Sequence, residues 1–143
     1  MTEPIEATVL RNGRLFAEAA SSDLDAIFRL ADEVTFEANQ AVFEWADTAD
    51  GMFVVLEGEA QVEIGGRFHR LRPGDFFGEM ALLVPDKRLA TVRAVEPVKA
   101  LRISSEAFQA FLLEHPRVAI GMLRALTLRL REVEQRIDAW MAP

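Results

Sequence analysis

A series of short apolar runs between residues 34 and 104 constrains this chain most, because turn signals separate the runs and no helix-length connection does. In MFVVLE, at 52–57, apolar side chains occupy both faces of the period-two repeat of a β-strand. Gly65 and Gly66 stand between two further β-prone runs and predict a tight hairpin, since glycine adopts the positive φ that such turns need. RPGD, at 72–75, predicts another turn. The runs predict about eight short strands in an eight-stranded β-roll (jelly roll) rather than a parallel sheet.

Helical patterns flank the roll on both sides, so the predicted fold class is mainly β with flanking helices. Two short N-terminal helices are predicted at about 12–31, where apolar residues recur at helical spacing and Ser22 with Asp25 has the form of a capping box. After the roll, a short helix is predicted at about 105–113. A long C-terminal helix is predicted from Pro116 to about 140, since proline suits the first helical position.

The long C-terminal helix carries an apolar seam whose members follow alternating spacings of three and four. The seam consists of Leu123, Leu126, Leu130, Val133, Ile137 and Trp140. Such a repeat is typical of helices that pair with a partner helix, in a homodimer or with another protein. The alternative is that the seam packs on the roll, as the apolar face of an ordinary surface helix does.

Composition excludes several classes of function. The chain has no cysteine, which rules out disulfide scaffolds, thiolate metal sites and cysteine nucleophiles. A net charge of −7 opposes attraction to a phosphate polyanion, so we expect no direct nucleic-acid binding. The N-terminus lacks the pattern of a signal peptide, and no stretch is apolar enough for a membrane span. We expect one cytoplasmic domain over 1–143, with no membrane partner.

The segment from 77 to 94 carries the residues best suited to binding chemistry. Gly78 lets the backbone approach a ligand closely, and a short helical turn is expected to begin at Glu79. Arg88 follows Glu79 by nine residues and lies among apolar neighbours, where a guanidinium is best explained by an anion. A ligand with hydroxyls at one end and a phosphate at the other would satisfy both side chains.

This segment resembles the phosphate-binding cassette of cyclic-nucleotide-binding domains, the superfamily of the catabolite activator and the regulatory subunit of protein kinase A. The resemblance lies in FGEMAL at 77–82 and RLATV at 88–92, with matching spacing, and extends to the roll and its flanking helices. It implies a sensor that binds a cyclic nucleotide, cyclic AMP first and cyclic GMP second, and reports occupancy through its C-terminal helix.

The resemblance also assigns the ligand contacts. Arg88 would pair with the cyclic phosphate, Glu79 would accept a hydrogen bond from the ribose 2′-hydroxyl, and the backbone of Gly78 would complete the cradle. The remaining cassette residues expected at the ligand are Met80, Ala81, Leu89 and Ala90. The alternative for the charged pair is an internal Glu79–Arg88 salt bridge in a roll that has lost its ligand.

Two departures from the family pattern bear on selectivity. Leu89 follows the arginine where alanine or serine is usual, so a larger side chain could narrow the phosphate end. Val133 stands where the catabolite-activator branch reads adenine with a threonine, and valine has no hydrogen-bonding group. Thr127 and Leu130 are the other candidate base contacts on this helix, although a helical threonine more often bonds its own backbone.

Two other classes of function compete with the sensor. The roll shape is shared with metal-dependent cupin enzymes, but His69 and His115 are the only histidines and neither lies in a ligand motif, so we expect no enzyme, no metal and no cofactor. His69 is interpreted as an ordinary strand residue, with a lone axial haem ligand as the alternative. The other class is a ligand-independent dimerisation or protein-interaction module that uses the apolar seam.

Overall fold

The computed structural model describes residues 5–81 and 87–141, with the side chains of Ala81 and of 137–141 left out. Within these ranges the helices are Ile5–Asn12 (α1), Ser21–Leu30 (α2), Ser105–Glu114 (α3) and Pro116–Met141 (α4), and a single 3-10 turn spans Glu79–Ala81. The strands are Asp32–Phe36 (β1), Ala41–Phe43 (β2), Gly51–Glu57 (β3), Ala60–Ile64 (β4), Arg67–Leu71 (β5), Phe76–Phe77 (β6), Thr91–Ala94 (β7) and Val98–Ser104 (β8).

The described strands form two four-stranded antiparallel sheets, in the orders β1-β8-β3-β6 and β2-β7-β4-β5. This arrangement confirms the predicted eight-stranded roll with flanking helices. The hairpin at Gly65 and Gly66 is present, and both glycines have positive φ, at 55° and 78°. The two-residue strand β6 had no pattern of its own in the sequence, because its pairing with β3 is set by tertiary contacts.

Strand β3 joins the two hydrophobic cores, which explains why it is apolar on both faces. Met52 and Val54 point into the core between the sheet β1-β8-β3-β6 and the helices, whereas Phe53 and Val55 point into the interior of the roll, between the two sheets. All four side chains are buried. The period of two in the sequence therefore marks a strand covered on both sides, as expected for a central strand of a packed roll.

The N-terminal helices differ from the prediction. The first helix ends at Asn12, where the predicted helical range begins, and α2 starts at Ser21 with Ala20 as its N-cap. Asp23, rather than the predicted Ser22 and Asp25, serves this helix start, since its carboxylate accepts a hydrogen bond from the Ala20 N–H at 2.8 Å. Gly13 follows the end of α1 and packs against the turn at Gly74. A Cβ at Gly13 would lie 2.1 Å from the Gly74 carbonyl oxygen, so only glycine fits at this position.

The predicted C-terminal helices are confirmed, and His115 forms the joint between them. His115 is the C-cap of α3, and its carbonyl oxygen accepts the N–H of Val118 at 3.0 Å at the start of α4. Its ring stacks on Phe111 with 4.3 Å between ring centres, and its Nδ1 lies 2.7 Å from a carboxylate oxygen of Asp23. The joint is thereby tied to the first turn of α2.

This tie predicts an acid-sensitive contribution to stability. Burial raises the pKa of Asp23, but the hydrogen bond from His115, the Ala20 N–H and the charges of His115 and Arg117 outweigh it and bring the pKa below its ordinary value of 3.8. A pKa that folding depresses stabilises the fold above pH ~4, and this contribution is lost as pH falls through the folded-state pKa. Urea unfolding at pH 3 and pH 6 should show a smaller difference for Asp23→Asn than for the unchanged protein; an equal difference contradicts the assignment.

The four described members of the apolar seam of α4 are exposed rather than buried against the roll. Leu123, Leu126, Leu130 and Val133 are 64%, 37%, 58% and 46% exposed, whereas Val118, Met122 and Ala125 supply the buried face of the helix. The seam members Ile137 and Trp140 have side chains outside the described residues. None of the described helices is long and apolar enough to cross a bilayer.

Candidate ligand site

A cavity of about 910 Å³ opens between the roll and α4. Its size is within the range of small-molecule sites in proteins. The roll contributes apolar side chains from β4 to β7, the segments around 74–80 and 87–90 form one end, and four side chains of α4 close the other side. The α4 contributors are Arg129, Glu132, Val133 and Arg136.

Arg88 is a buried cation without a carboxylate partner among the described residues. The residue is 6% exposed, its Nη1 donates to the Gly78 carbonyl at 3.3 Å, and its guanidinium lies 4.1 Å from the centre of the Phe43 ring. Its Nε–H has no hydrogen-bond partner in the described part of the chain. Burial lowers the pKa of Arg88, yet a guanidinium stays charged in proteins. A buried cation with an unused donor is suited to bind an anion.

Gly78 is a backbone neighbour of this guanidinium. Its φ is +80°, a conformation that side-chain-bearing residues rarely adopt, and a Cβ at this position would lie 2.7 Å from Arg88 Nη1. The glycine thus leaves room for the guanidinium and directs its own carbonyl toward it. Any larger residue would displace the arginine from its place in the cavity wall.

Glu79 is paired with Arg129 of α4, a residue whose role the sequence did not reveal. Arg129 Nη1 donates to the Glu79 carboxylate at 2.6 Å, Nη2 donates to the Phe76 carbonyl at 2.9 Å, and the guanidinium stacks on the Phe76 ring at 4.1 Å. An internal Glu79–Arg88 salt bridge, the alternative left open above, therefore does not hold the site. The sequence did contain a signal for a place of Arg129 at the cavity. Arg129 lies four residues before the candidate base contact Val133, and residues at this spacing share one face of a helix.

Most of the cassette residues expected at the ligand line the cavity. Those on its wall are Gly78, Glu79, Met80, Arg88, Leu89 and Ala90. Ala81 belongs to the 3-10 turn, and residues 82–86 of the cassette lie outside the described residues. Leu89 is 58% exposed, so its side chain is not buried against Arg88.

The candidate base contacts on α4 separate into two groups. Val133 lines the cavity, but Thr127 and Leu130 do not. The Thr127 hydroxyl donates to the Leu123 carbonyl at 2.7 Å, the ordinary use of a helical threonine. The helix rotation that brings Arg129 and Val133 to the cavity turns Leu130 toward solvent, so among these three candidate base contacts Val133 is the one on the cavity wall.

The wall opposite α4 comes from the β4–β5 hairpin and was not predicted as part of the site. Val62, Ile64, His69 and Leu71 line the cavity there. This wall is mostly apolar, which suits the faces of a planar ring system. Among the described residues, no group of three or more histidine and carboxylate side chains is arranged to hold a metal ion.

Comparison with known proteins places this site in a family. The cyclic nucleotide-binding domain family matches residues 33–115. The cyclic AMP receptor protein of Thermus thermophilus is 27% identical over 90% of this chain and 62% of its own length. A cGMP-dependent protein kinase of Toxoplasma gondii is 37% identical over 64% of this chain and 10% of its own. The crystal structure of the Thermus thermophilus catabolite activator protein has a TM-score of 0.81, with 27% identity over 90% of this chain and 63% of that one.

The chain covers between 10% and 62% of the length of these and other curated relatives. The family match includes the roll, the cassette on both sides of residues 82–86 and helix α3. With the fold, the cavity and the match taken together, this chain belongs to the cyclic nucleotide-binding domain family.

Proposed function

We propose that this domain is a sensor for a cyclic nucleotide, acting by binding rather than by catalysis, and that α4 reports whether the cavity is occupied. The observation that carries the proposal is the buried guanidinium of Arg88, which lies beside Gly78 at one end of a cavity and has no carboxylate partner and an unused Nε–H among the described residues. A buried cation is costly to stability unless it has a partner, so its retention is explained by a ligand that supplies the anion.

We propose that the three parts of a cyclic nucleotide lie in order along the cavity. We place the phosphate at Arg88 and Gly78, the ribose at Glu79, and the base between the hairpin wall and Val133 of α4. Hydrogen bonds to charged groups contribute about 1.5–3 kcal/mol each. Two or three of them, with burial of the base, reach the ~8 kcal/mol of a micromolar ligand.

Occupancy would reach α4 through Glu79. The carboxylate that would accept the ribose hydroxyl already accepts Arg129 of α4, at 2.6 Å. A ligand at Glu79 therefore changes the contact that holds the helix to the cassette, and it shifts the position of α4 to the extent that it binds the two positions with different affinity.

Cyclic AMP is the proposed first ligand and cyclic GMP the second. Sequence relatives named for each nucleotide support this choice, a cyclic AMP receptor protein and a cGMP-dependent protein kinase. Val133 lines the cavity without a hydrogen-bonding group, so adenine would be held here mainly by apolar contact. The proposed place of action is the cytoplasm, on residues 1–143 as one domain, without direct contact to nucleic acid.

A second candidate function follows from the exposed seam of α4. Three consecutive seam residues, Leu123, Leu126 and Leu130, are exposed and do not line the cavity, which suits pairing with a second copy or a partner helix. This pairing could accompany ligand binding or replace it. A domain of the second kind would dimerise without any nucleotide.

Calorimetric titration with cyclic AMP and cyclic GMP, together with sedimentation of the ligand-free protein, separates the two functions. Saturable binding of either nucleotide supports the sensor. A folded protein that binds neither and sediments as a dimer supports the interaction module and overturns the sensor.

The ribose contact can be tested on its own with 2′-deoxy cyclic AMP. Glu79→Ala should weaken cyclic AMP binding by about 10- to 100-fold, the effect of losing one hydrogen bond to a charged group. The 2′-deoxy ligand lacks the hydroxyl, so the variant and the unchanged protein should bind it with nearly equal affinity. Equal losses for both ligands would contradict the assignment of Glu79 to the ribose.

A further inference from the structure

Residues 14–23 are joined by three ionic pairs to α4 and to His115, the residue before it. Arg14 pairs with Glu132 at 3.1 Å, Glu18 pairs with Arg124, and Asp23 contacts His115 at 2.7 Å. The contacts span 17 helical residues, or about 25 Å at 1.5 Å per residue. We call residues 14–23 the strap.

The strap backbone also approaches α4 more closely than a side chain would allow. A Cβ on Gly121 would lie 2.6 Å from the carbonyl oxygen of Leu15. Leu15 itself is 1% exposed and Phe16 is fully buried, so the strap cannot move aside without uncovering core residues. Glycine costs helix stability relative to alanine, and this close approach explains its place in the second turn of α4.

The three ionic contacts differ in weight. The Arg14–Glu132 and Glu18–Arg124 side chains are roughly half exposed, and such pairs contribute little on their own. The Asp23–His115 pair is mostly buried, with side chains 11% and 19% exposed, and Asp23 also caps α2. The strap is thus anchored at the joint where α4 begins and continues toward the part of α4 that faces the cavity.

We propose that the strap is a positioning element that holds α4 in place over the ligand cavity and thereby sets ligand affinity. Its anchor, Asp23–His115, fixes the start of the helix, and the Leu15–Gly121 contact fixes its second turn, two turns before Arg129 reaches Glu79. The expected change in cyclic AMP affinity rests on the proposed function. The position of α4 can be measured without a ligand.

The test is Gly121→Ala, which inserts one methyl group between strap and helix and leaves every cavity-lining side chain unchanged. Hydrogen exchange of α4 amides should become faster in the ligand-free variant. Cyclic AMP affinity should fall by about 3- to 30-fold, the range of mutations that alter coupling between sites without touching the ligand. Gln135→Ala, on the exposed side of the same helix, is the matched control and should change neither quantity. Asp23→Asn is a second variant, expected to act in the same direction.

The outcomes separate this inference from the proposed function. The proposal is overturned if a folded Gly121→Ala protein shows unchanged hydrogen exchange of the α4 amides and unchanged cyclic AMP affinity. Tighter cyclic AMP binding by the variant would also overturn it. If the unchanged protein binds no cyclic nucleotide, the proposed function fails, and the exchange comparison alone decides on the strap. Should Gly121→Ala not fold, the same two measurements on Asp23→Asn decide.

Discussion

Arg88→Met is expected to lower the affinity for cyclic nucleotide by about 100- to 1,000-fold, the effect of losing two charge-assisted hydrogen bonds to the phosphate. Methionine retains an unbranched apolar side chain next to Phe43 but removes the charge and every donor. Calorimetric titration with cyclic AMP measures the loss. Binding within threefold of the unchanged protein would show that the anion site lies elsewhere.

The same variant should not be less stable than the unchanged protein in the absence of ligand. The guanidinium is buried, has an unpartnered Nε–H among the described residues and gains only the Gly78 carbonyl and the aromatic ring as compensation. Replacing a poorly compensated buried charge by an apolar side chain is often neutral or stabilising. Thermal unfolding checks this, and a large fall in Tm would mean that Arg88 serves the fold rather than a ligand.

Gly78→Ala is expected to lower cyclic nucleotide affinity by at least about 10-fold and stability by about 1–2 kcal/mol. Alanine is strained at a φ of +80°, and its Cβ would lie 2.7 Å from Arg88 Nη1. The far end of the arginine can move, so the fold should survive while the guanidinium leaves the position from which it meets the phosphate. Titration and urea unfolding measure the two effects.

Gly65→Ala is the matched control for this prediction. Gly65 also has positive φ, at 55°, but a Cβ there would meet nothing within 4 Å. The control should therefore lose stability through backbone strain and keep its ligand affinity. If both variants lose affinity equally, strain in the roll rather than displacement of Arg88 explains the loss.

The sequence by itself determined the strands, most turns and the cassette end of the site. These features are local. The short apolar run at 52–57 specifies a strand, and the glycines at 65 and 66 specify the hairpin turn. Arg88 and Gly78 could be found in the same way, since a charge among apolar neighbours and a motif of fixed spacing are visible within a few residues.

Only the tertiary structure decided which helix residues face the cavity. The pairing of Arg129 with Glu79 joins residues 50 positions apart, and it depends on how α4 is rotated on the roll. The same rotation places Val133 on the cavity wall and leaves Thr127 bonded to its own helix. Periodicity shows that a helix has faces, but the packing of distant elements determines what each face meets.

The strap shows the same division. Residues 14–20 carry apolar side chains at helical spacing, yet they form no regular helix, because Gly13 and Gly121 let the backbone pack directly against the turn at Gly74 and against α4. Local spacing could not reveal this, since the close contacts join segments about 60 and 106 residues apart. The sequence thus specified the roll and the arginine in its cavity wall, and long-range packing alone specified which contacts the C-terminal helix makes with the strap and the cassette.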